Sequence, residues 1–484
     1  MYNRKKGWMR KMLGVSLLLG CVMLGGCGKN GEIQEQDPLA GGSGQQEITT
    51  EDNQPARGED EPGGNGMDRG TKEEPVYTAM NLTKTVAASE DSSENPDETF
   101  IDGTTRFSVK LLQKVAERAD SNANYMISPT SIQMALAMAS NGADNNTKTE
   151  LERLLCGEFY EEGDIVRCGT LEMHIEDLNL YLNAYVKQLA DSEDVVFENA
   201  NAVWMHNNKE MFSVKEDFLK RISGFSAECF EAPFDESTVT DINNWVNYHT
   251  REMIPSLLNE IPEDVVMYLI NAIAFEGEWE EPFEEHQIDD TFTFHCADGI
   301  EQTVTGMRSE ENIYLESDYA KGFVKYYKGG KFGFAALLPE EGMTPEEYIS
   351  GLSPDDFTEL FKGKTYDTVN VEIPKFSSDY DTELSKVLEA LGVKEAFTPA
   401  ADFSQMADTD TGLLYINRVL HKTHIEVDEK GTKAAAVTAV EMTKNDCVAP
   451  SEPKTVILDR PFVYAIMDME TNLPIFIGVQ NSIE

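Results

Sequence analysis

The sequence predicts an α+β fold over about residues 98–484. Three observations carry this. Phe107, Leu111, Leu112 and Val115 recur at helical spacing, and Leu178 to about Ala190 repeats the pattern. Alternating or continuous apolar runs, Val195–Trp204, Phe332–Pro339 and Val369–Phe376, read as strands bounded by polar residues. Finally, Thr432 to Val448 follows a glycine, contains no proline and alternates with period two at its start, as a loop able to become a strand would.

The N-terminus stands outside this fold. Arg4, Lys5, Lys6, Arg10 and Lys11 form a positive region ahead of the apolar run Met12–Met23, which is signal-like and too short to span a bilayer. Leu24-Gly25-Gly26-Cys27 then resembles a bacterial lipobox, which implies a signal peptide over residues 1–26 and lipidation at Cys27. A second match ends at Cys21 but leaves a barely adequate apolar run, and cleavage by an ordinary signal peptidase is the alternative. The expected location is the outer side of a membrane, held by the lipid alone. Residues 27–97 are rich in Gly, Pro, Gln, Ser, Asp and Glu, with Tyr77 the sole aromatic residue. Such a segment buries too little apolar surface to offset its ordering entropy, so it is expected to be a flexible acidic linker.

Along the globular part, a helix is expected from Thr105 to Arg118, a short strand at Tyr125–Ile127, and a helix starting at Ser128-Pro129, with serine as N-cap and proline in the first turn. The helix Thr147–Leu155 follows, then a polar loop over Glu161–Glu176. Leu384–Leu391 ends at Gly392 as a helix does, and Tyr415–Asp428 reads as a strand leading to the glycine at 431. Counted from Thr432, the alternate set Thr432, Ala434, Ala436, Thr438, Val440 and Met442 is small, apolar or Thr, whereas Lys433 and Glu441 fall on the other set. The first set suits a buried face of a sheet. An Ala-rich helix or surface strand is the simpler reading of these residues taken alone.

Composition narrows the function. A formal net charge of −47 argues against nucleic acid or anionic lipid as a partner. Cys156, Cys168, Cys229, Cys296 and Cys447 show no CxxC and no zinc spacing, and only Cys156 and Cys168 are near enough in sequence to suggest pairing. There is no G-x-S-x-G, H-E-x-x-H or glycine-rich phosphate loop. His421 and His424 are three apart on an expected strand, so they point to opposite faces and are a poor metal pair. No cofactor, metal or catalytic residue is expected. Cys447 has no base that the sequence places beside it.

Four stretches carry a resemblance to the serpin family. Glu429-Lys430-Gly431-Thr432-Lys433-Ala434-Ala435-Ala436-Val437-Thr438 resembles the serpin reactive-loop hinge. Tyr125–Ala143 resembles the family's second-helix signature. Asn271–Phe283 is similar at every fixed place to N-A-x-x-F-x-G-x-W-x-x-P-F. The terminal runs Asp459–Ile466 and Pro474–Gly478 complete a match that spans about 98–484. The resemblance implies a large central sheet, further sheets and about eight to nine helices. It implies that Ser128, Ser131, Asn271, Trp279 and His421 lie where the sheet parts, with His421 bonded to Asn271. It implies an inhibitor whose exposed loop is cut by a target protease and then inserts into the sheet, holding the enzyme as a covalent acyl complex, with the inhibitor a monomer.

Two features depart from the family. Lys433 stands where inhibitory members usually carry Glu, on the face expected to point outward. The loop is also longer than usual before Asp459-Arg460-Pro461-Phe462, which unsettles the register of the cut. Counting from the hinge places the scissile bond between Asn445 and Asp446. Lys444 needs a one-residue shift and would suit trypsin-like enzymes, while Met442 or Val448 would suit elastase-like ones. An Asn or Asp at the bond would also fit a cysteine protease. The alternative function is a non-inhibitory serpin that acts as a surface binding protein.

Overall fold

The computed structural model describes residues 73–87, 95–161, 164–167, 175–208, 212–225, 227–263, 265–409, 414–432 and 452–483. Cys27, the stretch from Lys433 through Ser451 and Cys168 lie outside these residues. Expectations for lipidation, for Ala434, Ala435, Ala436, Val437 and Thr438, and for the scissile window Lys444–Asp446 fall there too.

A seven-stranded sheet organises the molecule. Its strands are β1 (Met80–Asn81), β2 (Val195–His206), β3 (Glu228–Ala232), β4 (Met267–Glu278), β5 (Phe376–Glu383), β6 (Arg418–Val427) and β7 (Gly431–Thr432). Their spatial order is β1-β3-β2-β4-β7-β6-β5, and β4 also pairs directly with β6. A four-stranded sheet (Lys454–Ile457, Val369–Pro374, Glu301–Glu311, Ile288–His295) and a six-stranded sheet accompany it. Nine α-helices lie among the described residues.

The continuous apolar run of β4 reflects burial on both faces. Tyr268, Ile270, Ala272 and Ala274 pack with Trp245 of the helix Glu236–His249, while Leu269, Ile273 and Phe275 belong to the main core. Side-chain caps set the starts of the first two helices. α1 (Glu98–Ala116) starts earlier than the expected Thr105, because Asp97 caps it by accepting from the Phe100 amide at 2.9 Å. α2 (Pro129–Gly142) begins as expected, with Ser128 as N-cap and proline in the first turn. The stretch expected as a loop over Glu161–Glu176 instead contains part of a hairpin, Glu158–Glu161 with Asp164–Arg167, and the start of the helix Ile175–Ala190.

One expected boundary moves. Residues 73–87, assigned to the linker, belong to the folded part. β1 pairs with β3 at Met80–Glu231 and Asn81–Phe230. Asp241 accepts from Thr78 and from the Ala79 amide, and Tyr77 packs edge-on against Phe230 at 5.7 Å. A two-residue strand in a polar context carries almost no periodic signal, so composition alone points to a linker.

Candidate functional site: the parting line of the central sheet

β4 and β6 are parallel and pair directly only over Tyr268–Asn271 with Arg418–His421. Above that point β7 stands between them, antiparallel to both. Gly431 lies opposite Glu278, and Thr432 lies opposite Gly277 on one side and Val427 on the other. The hinge has therefore already entered the sheet by two residues. Between these two paired ends, Ala272–Glu276 of β4 and Lys422–Glu426 of β6 have no mutual pairing among the described residues.

At the closed end, Ser128, Ser131, Asn271 and His421 come together. The Ser131 hydroxyl contacts the Asn271 side-chain oxygen, and Asn271 Nδ2 donates to the Ser131 carbonyl at 3.1 Å and to Asn201 Oδ1 at 2.6 Å. Asn199 Oδ1 accepts from Ser131 at 3.2 Å. The expected bond from His421 to Asn271 is replaced. His421 lies beside Asn271 in the ladder, but its Nε2 accepts from the Ser128 amide at 3.1 Å. That amide opens α2, whose first N–H groups lack helical partners. With Nε2 accepting, the neutral ring carries its proton on Nδ1, which is buried without a partner among the described residues. Burial holds the imidazole pKa down to about 3. His424 points the other way, to Asp379 at 2.9 Å.

At the open end, two aromatic residues hold the hinge. Trp279 donates from its backbone to the Lys430 carbonyl at 2.8 Å and from its indole to the Asp428 carbonyl at 2.9 Å. Phe283 donates its amide to the Glu429 carbonyl at 2.8 Å. The Asp428 carboxylate accepts from the Lys430 and Gly431 amides and closes the turn. Lys375 pairs with Glu429 at 2.8 Å and holds that carboxyl below its usual range. Thr432 is 2 % exposed, and its hydroxyl meets the buried Tyr327 hydroxyl at 2.5 Å. Tyr327 stacks on Trp279 with centroids 4.6 Å apart. Thr432 faces inward, as its alternate set predicts.

Sequence reasoning did not single out Asn199, Asn201, Tyr327 or Lys375. A signal existed for the first two. Two asparagines spaced by two inside the expected strand Val195–Trp204 share a face with apolar neighbours, and buried amides need partners. Tyr327 and Lys375 gave none, since their partners lie far along the chain.

Comparison with known proteins agrees with this geometry. The family model described as Serpin (serine protease inhibitor) matches residues 102–482. An uncharacterized serpin-like protein of Thermococcus kodakarensis is 30% identical over 366 residues, covering 75% of this chain and 81% of its own. The crystal structure of the thermophilic serpin tengpin in the native state overlays with a TM-score of 0.75 at 42% identity, covering 84% of this chain and 100% of tengpin. Tengpin in the latent state overlays with a TM-score of 0.69, also at 42% identity, covering 81% and 100%.

Proposed function

Because the chain belongs to the serpin family, we propose that it inhibits serine proteases, and cysteine proteases by the same chemistry, as a suicide substrate. The observation that carries this reading is the hinge seated in the parting line, with Thr432 turned inward and, directly ahead of it, a stretch where the two neighbouring strands have no mutual pairing among the described residues. The chain is a substrate that traps rather than a catalyst.

The proposed steps begin at the bait bond and end with strand insertion. The protease nucleophile attacks the carbonyl on the N-terminal side of the bait bond, here Asn445–Asp446 or its neighbour after Lys444. An acyl bond to the enzyme forms, and the new amine leaves with a proton from the enzyme's acid. The chain from Lys433 onward is then free to extend β7. Continued in register, Ala434 and Ala436 meet Phe275 and Ile273, and Thr438 arrives between Asn271 and His421. The four direct β4–β6 pairs must separate to admit anything beyond Val437. Each step adds ladder bonds, and the acylated enzyme moves with the strand before water releases it. The outcome is a race between insertion and deacylation.

The N-terminal features extend the proposal. Lipidation at Cys27 after removal of residues 1–26 would anchor the inhibitor, as a monomer, on the outer side of a membrane, with a target protease as its partner. The test is to mix the full chain with trypsin, elastase, subtilisin and papain, then read denaturing gels and intact masses. A denaturant-stable adduct with a small released C-terminal fragment is expected, and the fragment mass identifies the bond. Cleavage without any adduct would overturn the inhibitor reading in favour of a binding protein.

A further inference from the structure

We propose that the buried ion pair Lys325–Glu311 is the positioning device of the hinge, acting through Trp279 and Phe283. Those two residues together hold three consecutive hinge carbonyls, of Asp428, Glu429 and Lys430. One cation lies against both of their rings. Lys325 Nζ is 4.5 Å from the centroid of Phe283 and 5.6 Å from that of Trp279. Lys325 is 2 % exposed and donates to Glu311 Oε1 at 2.8 Å, and the Ser309 hydroxyl also donates to that oxygen.

The charge matters because of where it sits. An ammonium buried in a strand interior is costly unless paired, and an apolar side chain would fill the same space without that cost. What the charge adds is attraction to two aromatic faces, which strengthens as water is excluded. Lys325 sits on the strand Ala320–Tyr326, opposite Phe334, and Phe334 packs edge-on to Trp279 at 5.9 Å. The same chain segment ends at Tyr327, which stacks on Trp279 and reaches Thr432. The strand thus fixes the indole and phenyl rings, the rings fix the turn 428–430, and the turn aims β7 into the sheet. The consequence for inhibition rests on the function proposed above; the docking geometry does not.

Hydrogen exchange of the Trp279 and Phe283 amides in the full chain measures hinge docking directly, since both amides bond to hinge carbonyls. K325M alone strands a buried carboxylate, so the double variant K325M/E311Q, which removes both charges, carries the test beside it. Exchange at Trp279 and Phe283 is expected to rise about tenfold in the double variant, with the β4 amides of Leu269 and Ile273 unchanged. No rise at Trp279 and Phe283, or an equal rise at all four amides, overturns the proposal. Parallel incubation with trypsin, elastase, subtilisin and papain separates the two ideas. A rise in exchange without an adduct from the wild-type chain with any of them leaves the clamp standing and removes inhibition. A wild-type adduct without the rise removes the clamp alone.

Discussion

Gly431 has no room for a β-carbon: one placed there would collide with the Gly277 carbonyl and lie 2.8 Å from the Glu278 Cα. The glycine is needed for close approach of two backbones and not for a left-handed turn, which refines the pivot role that the sequence suggests. His421 is the other residue on which the site depends. Its ring is neutral and buried, with the pKa held at about 3 against an ordinary value of 6.5. The unfolded chain therefore binds the extra proton first. The stability His421 contributes is complete above pH 6.5 and is lost as pH falls from there toward 3. Between pH 6.5 and pH 4.5 the loss from this one group is on the order of 2 kcal/mol. Denaturant midpoints measured from pH 7.5 to 4.5 should fall for the wild type and fall less for His421→Asn. Equal slopes would show that the acid sensitivity arises elsewhere.

At the scale of elements, the register of β7 gives the unusual Lys433 a reason. On the proposed insertion, the next pair in the ladder would put it opposite Glu276 of β4 and Glu426 of β6, the register being extended from Thr432. Both acids are half-buried, and Arg251 already shares Glu276 at 3.5 Å. A lysine entering between two carboxylates gains from both, whereas a glutamate, the residue usual in this family, would put three acids abreast. Cross-strand pairs of this kind are worth roughly 0.2–1 kcal/mol each. Lys433→Glu should therefore slow insertion about tenfold and raise the share of chain cleaved without an adduct. If the variant inhibits as well as the wild type, the register assigned to the inserting strand is wrong. The same element shows what the sequence can carry. Gly431 and Thr432 were legible because period and small size are local signals, whereas Trp279 was legible only through the resemblance to the family. Lys325, Glu311, Tyr327 and Lys375 were not, since each owes its role to a partner brought near only by the fold. The strand Met80–Asn81 was hidden by its neighbourhood, although Tyr77, the lone aromatic of that segment, is the residue that docks on Phe230.

At the scale of the whole molecule, the central sheet is short of full pairing among the described residues. Over Ala272–Glu276 and Lys422–Glu426 two long strands run side by side with their mutual ladder unformed, below a hinge that has entered by two residues. On the proposed mechanism, a chain in this state has a lower free-energy form within reach, namely one in which the segment after Thr432 completes the sheet. Connectivity withholds it, because Lys454–Ile457 is tied parallel to Val369–Glu372 in another sheet and anchors the far end of the loop. Cutting the loop removes that anchor. The inserted strand then gains two ladders at about 1 kcal/mol per bond, less the ordering entropy of the residues that join. A net advantage on the order of 5 kcal/mol would raise the unfolding midpoint of a domain this size by roughly 6 °C. Calorimetry on the intact chain and on chain nicked between Lys433 and Ser451 should show that rise. A midpoint that stays put after nicking would mean that the cut segment does not enter the sheet. The partly open β4–β6 seam would then be an equilibrium architecture with no stored drive, and a trap powered by insertion would be impossible for this chain.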